Sequence, residues 1–169
     1  MTADPDTAAE LRAVLDRLVP PGVVATCRTI GPDDAAALLA AEARSITATV
    51  PASRRASGAA RLAARELLTR LGVATAPILR GGTGAPIWPA GLVGSLAHDD
   101  RVAVAVAASS RDAAGLGIDV EPAEPLPADV ADLVVHHRDD LGPPGDPLAA
   151  RLAFVAKEAV YKAVHPLCG

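Results

Sequence analysis

The chain has 169 residues, half of them hydrophobic but only 2% aromatic, with a formal net charge of −4 at pH 7. That length supports a substantial core in one domain or in two small, intimately packed halves and excludes a peptide or a repeat array, and such a composition makes the core one of Ala, Val and Leu. The acidic balance, without any long basic run, excludes a general nucleic-acid surface, which needs clustered Lys and Arg to displace phosphate counterions. Cys27 and Cys168 are far apart and lack metal-ligand spacing, so they read as free thiols in a reducing compartment and not as nucleophiles. The first residues show no basic segment leading into an apolar one, and no stretch reaches the roughly 18 apolar residues of a membrane span. A cytoplasmic protein is expected.

In chain order, residues 8–19 read as a short amphipathic helix stopped by Pro20-Pro21-Gly22, and Val23–Thr29 as a strand closed by Gly31-Pro32. Residues 32–45 are alanine-rich and read as a helix, with Asp33 and Asp34 in its first turn. Ser53 is placed to cap a second, long helix that ends at Leu71-Gly72. On its wheel Arg54, Arg61 and Arg65 fall within about 40° of one another, with Arg55 close by and Gly58 opening the same face. Such a face is either solvated and balanced by Glu66 and distant acids, or it binds phosphate.

Residues 75–91 hold Pro77, Gly81-Gly82, Gly84, Pro86, Trp88, Pro89 and Gly91, with Arg80 near the start. This is a loop that matches neither a P-loop nor a dinucleotide fingerprint. Leu92–His98 reads as a buried strand carrying Ser95 and ending at His98, followed by an Asp99-Asp100 hairpin turn and a strand over 101–108. His98 is either a satisfied structural histidine or a site residue.

Residues 116–122 read as a third strand. The period of two puts Asp119 and Glu121 on one face and Ile118 and Val120 on the other. Two neighbouring carboxylates repel; they mark either an acidic edge strand or a site for a cation, and open positions for phosphate and water suit Mg²⁺. Residues 122–147 are proline-rich with a helix over 128–135, and the adjacent His136-His137 pair, lacking the spacing of a helical metal site, reads as surface.

Asp146 and Pro147 then start a helix running to about Val164. Leu148, Leu152, Ala156, Ala159, Val160 and Ala163 form its core-facing stripe, while Arg151, Glu158 and Lys162 share another line and Lys157 projects from a different flank. Lys157 and Lys162 are the only lysines in a chain that otherwise uses arginine. Glu158 and Lys162 are either a surface pair worth about 0.2–0.5 kcal/mol or part of a site.

Three stretches, Gly94-Ser95-Leu96-Ala97-His98, Gly117-Ile118-Asp119-Val120-Glu121 and Phe154-Val155-Ala156-Lys157-Glu158-Ala159-Val160-Tyr161-Lys162, resemble the 4′-phosphopantetheinyl transferases, specifically the monomeric siderophore-synthetase and surfactin type. Arg54-Arg55, Arg61, Ala64-Arg65 and Gly84-Ala85-Pro86-Ile87-Trp88-Pro89 extend the likeness to about residues 19–164. The resemblance implies an α/β fold built as a pseudo-twofold pair of halves in a single domain, the first half about 1–108 and a partial second half about 109–169. It implies a monomeric enzyme that moves the phosphopantetheine arm of coenzyme A onto a serine of an acyl or peptidyl carrier protein in nonribosomal peptide, polyketide or fatty acid synthesis, releasing adenosine 3′,5′-bisphosphate.

By the same resemblance Asp119, Glu121 and Glu158 hold Mg²⁺, and Glu158 is the general base. Lys162 stabilises or protonates the leaving phosphate. Lys157 and His98 contact phosphates, with Ser95 beside them, while Arg54 or Arg55, Arg61 and Arg80 bind the 3′-phosphate and adenine end. Asp99 stands where family members often carry cysteine, and Val155 where they carry a small hydroxyl or thiol residue. Members usually run on past the lysine helix, so the second half is expected to be incomplete, and a shortened paralogue that binds coenzyme A or a carrier protein without turnover is the alternative.

Overall fold

The computed structural model describes residues 5–142 and 145–168. Helix α1 (Pro5–Leu18) leads into strand β1 (Val23–Thr29), a short 3-10 turn (Asp34–Ala37), and helices α2 (Ala40–Ser45) and α3 (Pro51–Arg70). Strands β2 (Leu79–Arg80), β3 (Pro86–Ile87), β4 (Leu92–His98) and β5 (Val102–Ser109) follow, then helices α4 (Ala128–Val134) and α5 (Ala149–Cys168). The fold is mixed α/β with antiparallel sheets. The main sheet has the order β1-β5-β4, with Val106 of β5 opposite both Ala25 and Ser95. The short pair β2-β3 sets Arg80 opposite Pro86.

The sheet explains why the chain can do without aromatics. In β5, Val102 to Ala108 are all buried, because both faces of this central strand are covered. Its alternation is large against small. Ala103, Ala105 and Ala107 face α3, whose Ala59, Ala60, Ala63 and Leu67 pack on them. Val104 on the other face joins Cys27 and Ala97 under Leu11 and Leu15 of α1, with Ile118 and Val120 closing the layer. Small side chains on both partners let helix and sheet approach closely. Burial pushes the Cys27 thiol up, so it stays protonated in the core.

Glu42 anchors the outer side of α3. It is fully buried, and its carboxylate accepts from Arg65 Nη1 at 2.8 and 3.0 Å and from the backbone N–H groups of Leu39 and Ile78 at 2.9 Å each. A buried carboxylate is tolerable only when its lone pairs are met in this way. Arg65 therefore answers an acid of its own fold. At Gly58 a Cβ would lie 1.8 Å from the carbonyl oxygen of Asp34, so α3 meets the 3-10 turn through bare backbone.

Several expectations need correction. The helix over 32–45 is broken at Leu38 and Leu39, which are extended, into the 3-10 turn and α2. The long helix starts not at a Ser53 cap but at Pro51 in its first turn after an extended Val50. The loop over 75–91 contains the β2-β3 pair. Residues 116–122 form no strand and pair with none among the described residues, because their backbone lies against α5 instead: a Cβ on Gly117 would be 1.7 Å from the Ala159 carbonyl oxygen. After Ser109 the described residues contain no strand, and α5 continues past Val164 to Cys168 with Pro166 inside it. No helix among the described residues is long and apolar enough to cross a membrane.

The β4-β5 turn is closed by Asp99, whose Oδ1 accepts from the N–H groups of Arg101 at 2.7 Å and Val102 at 2.6 Å. Hydrogen bonds to a charged acceptor are worth more than neutral ones. Asp99→Ala is expected to lower unfolding free energy by about 1–3 kcal/mol in chemical denaturation; a wild-type midpoint would contradict this role.

Candidate active site

On α5, Glu158 lies about two turns beyond Arg151, and Lys162 about one turn further, so cation, carboxylate and cation share one side of the helix. Segment 118–121 lies against that line. Ile118 and Val120 turn into the core, which sends Asp119 and Glu121 the other way, as their alternation predicts. Lys162 Nζ lies 2.5 Å from Asp119 Oδ1 and 3.4 Å from the Ile118 carbonyl oxygen. Arg151 Nη1 donates to Glu121 Oε2 at 2.9 Å, and its Nε to the carbonyl oxygen of Glu124 at 3.1 Å. Each carboxylate thus meets its own cation from the helix, which relieves their mutual repulsion.

The two acids are not alike. The side chain of Asp119 is only 8% exposed, and its Oδ2 is buried without a hydrogen-bond partner. Leaving a charged oxygen unmet in the interior is costly, so this atom marks a place for a donor or a cation. Glu158 makes no ion pair among the described residues. It faces a cavity of about 450 Å³ between α5 and the β2-β3 and β4 strands, lined also by Arg80, Trp88, Ser95, Tyr161 and Lys162.

A second cleft of about 170 Å³ adjoins the cavity, sharing Arg80, Gly84, Pro86 and Leu96, and adds Arg61 and His98. Beyond His98 a third hollow holds Arg55 and Arg101 with Asp99 and Asp100. Lys162 and Arg80 thus line the cavity, Arg80 and Arg61 the cleft beside it, and Arg55 the hollow that meets that cleft at His98, a cationic track from α5 to α3. Burial pushes the Arg61 guanidinium below its ordinary value; Glu42 opposes the shift, and Arg80 and Arg65 add to it. Its Nε donates to the Ile78 carbonyl oxygen at 3.2 Å, which fixes the side chain along the cleft.

Of the residues expected in a site, Glu158, Lys162, Ser95, His98, Arg55, Arg61 and Arg80 line these connected clefts, and Asp119 and Glu121 lie beneath α5. Two do not join them. Arg54 donates to the Ala48 carbonyl oxygen at 3.3 Å. Lys157, expected on phosphate, instead bonds the Val134 carbonyl oxygen at 2.7 Å and Asp139 at 2.5 Å, capping α4 from the far flank of α5. That hydrogen bond holds the Asp139 carboxyl below its ordinary value.

Nor do Asp119, Glu121 and Glu158 form a common cage, since no group of three acidic, histidine or cysteine side chains is so arranged among the described residues. The reason is that Asp119 and Glu121 are drawn to Lys162 and Arg151. Sequence reasoning had assigned no part to Arg151, although its place on the Glu158-Lys162 line was the available signal. Glu42 gave none.

Known proteins resemble this chain along most of its length. A family model described as the 4′-phosphopantetheinyl transferase N-terminal domain matches residues 41–108. The 4′-phosphopantetheinyl transferase Svp of Streptomyces mobaraensis is 41% identical over 150 residues, covering 83% of this chain and 60% of Svp. PptT of Mycobacterium tuberculosis, with the same description, is 40% identical over 130 residues, 75% of this chain and 57% of PptT. The 4′-phosphopantetheinyl transferase Npt of Nocardia iowensis is 39% identical over 157 residues, 91% of this chain and 70% of Npt. The chain thus spans about 60% of the length of the first two relatives.

Proposed function

Because the chain belongs to the 4′-phosphopantetheinyl transferase family, we propose that it transfers 4′-phosphopantetheine from coenzyme A to a serine hydroxyl of an apo acyl or peptidyl carrier protein. The reaction depends on Mg²⁺ and releases adenosine 3′,5′-bisphosphate. The observation that carries this reading is the charged ladder between segment 118–121 and α5, set beside a cavity that opens onto the cationic track.

Coenzyme A has phosphate at both ends of that track's logic. Its pyrophosphate sits by Lys162 and Arg80, and its 3′-phosphate by Arg61, His98 and Arg55, where guanidinium groups match phosphate oxygens in pairs. The arm enters the cavity walled by Trp88 and Tyr161. The serine oxygen attacks the phosphorus that bears the pantetheine, the bond to the bridging oxygen breaks, and the adenosine bisphosphate leaves. Glu158 takes the serine proton, being the carboxylate that lines the cavity and bound to no cation among the described residues. Lys162 faces the charge that grows on the leaving phosphate.

The acids suit a hard cation. Asp119 offers a buried, unmet Oδ2 and Glu121 the oxygen that Arg151 leaves, and Mg²⁺ is ordinarily held by one or two carboxylates together with substrate phosphates. Bound there, it would supply Lewis-acid neutralisation of the pyrophosphate. The test is release of adenosine 3′,5′-bisphosphate from coenzyme A, followed chromatographically. The expected result is release only when both Mg²⁺ and an apo carrier protein are present; none with several carriers, despite measurable coenzyme A binding, would sink the transferase reading in favour of a binding protein.

A further inference from the structure

Arg151 has no part in the reaction just described, yet its guanidinium is spent entirely on the acidic segment. It takes Glu121 Oε2 at 2.9 Å, the Glu124 carbonyl oxygen at 3.1 Å and, more loosely, that of Pro125 at 3.5 Å. The side chain is 16% exposed, so the fork is held where solvent competes little. Lysine has a single ammonium and could not span these acceptors in the same way. On the other side of the segment Lys162 holds Asp119 Oδ1. Each carboxylate consequently keeps one oxygen for another partner, Oδ2 of Asp119 and Oε1 of Glu121.

We infer that Arg151 is a positioning residue that selects the metal: by engaging Glu121 Oε2 it restricts Glu121 to one oxygen and biases the site toward Mg²⁺ over Ca²⁺. The inference rests on the Mg²⁺ reading above. Mg²⁺ demands near-octahedral geometry with few protein oxygens, whereas Ca²⁺ takes six to eight and favours bidentate carboxylates. A Glu121 freed from Arg151 can turn both oxygens to one ion, which rewards the larger cation. Removing a positive charge changes the affinity for either divalent ion in the same direction, so the ratio of the two affinities separates this geometric effect from simple electrostatics.

The experiment loads the full chain with Mn²⁺, read by electron paramagnetic resonance with and without coenzyme A, and displaces it with Mg²⁺ or Ca²⁺. It compares the unaltered protein with Arg151→Gln and Arg151→Met, whose folding is checked by circular dichroism. The expected result is a shift of the Mg²⁺/Ca²⁺ affinity ratio toward Ca²⁺ by about 10-fold in whichever variants fold, on the scale set by the roughly 10–100-fold affinity loss that removing a partner behind a metal ligand causes. An unchanged ratio, or one moved toward Mg²⁺, overturns the inference and leaves the metal site standing. Failure of the unaltered protein to bind Mn²⁺ under either condition overturns the metal reading, and the inference with it.

Discussion

Glu158→Gln is expected to lower phosphopantetheine transfer by about 10²–10⁴-fold while leaving the unfolding midpoint where it is. The amide keeps the size and hydrogen-bonding reach of the carboxylate but cannot accept a proton from serine. Nothing in the fold depends on the charge, since Glu158 pairs with no cation among the described residues and is not fully buried. The two neighbouring cations of α5 are held by Asp119 and Glu121, so the substitution leaves that ladder intact. Rate and stability are therefore separable at this position. A variant with an unaltered rate would mean that the base lies elsewhere, and a variant that loses stability in proportion to rate would mean that Glu158 is structural.

Gly117→Ala is expected to damage both. A Cβ there would lie 1.7 Å from the Ala159 carbonyl oxygen, 2.7 Å from its carbon and 2.9 Å from the Ala163 nitrogen. All three are backbone atoms of α5, so no rotamer change relieves the clash, and the helix and the segment have to separate. Asp119 and Lys162, in contact at 2.5 Å, stand on the two pieces that part. Overpacking of this kind costs about 1–3 kcal/mol, and the loss of alignment costs about 10²-fold in rate. Denaturation and steady-state transfer assays check the two halves of the expectation. Wild-type behaviour in both would mean that α5 does not sit on the segment as described.

The contrast between these positions shows what the sequence could reveal. The alternation of Ile118 and Val120 against Asp119 and Glu121 depends only on an extended backbone, so the facing of the acids was legible even though the segment is no strand. Strand pairing depends on what lies alongside, and here the neighbour is the helix. The helical period likewise placed Glu158 and Lys162 on one side of α5 and Lys157 apart from them. It could not show that Lys157 would find Val134 and Asp139, which lie in another element.

The arginine face of α3 was legible as a cluster but not as a division of labour. Arg65 goes to Glu42, an acid buried by tertiary packing in a helix whose sequence shows no sign of it, while Arg61 and Arg55 turn to the clefts. The break at Leu38 and Leu39 was hidden for a similar reason: alanine-rich sequence favours helix, and the groups that meet the freed backbone, Glu42 on the Leu39 N–H and Arg65 on the Ala37 carbonyl oxygen, are brought there by tertiary packing.

The central claim is that the cavity between α5 and the β2-β3 and β4 strands, beside segment 118–121, carries out group transfer, and the intact mass of an apo carrier protein tests it most directly. After incubation with the chain, coenzyme A and Mg²⁺, the carrier is predicted to gain one phosphopantetheine on its serine, and to gain none when Glu158→Gln replaces the unaltered chain over the same interval. A carrier mass that stays unchanged with the unaltered chain, or that rises equally with both, would contradict the account.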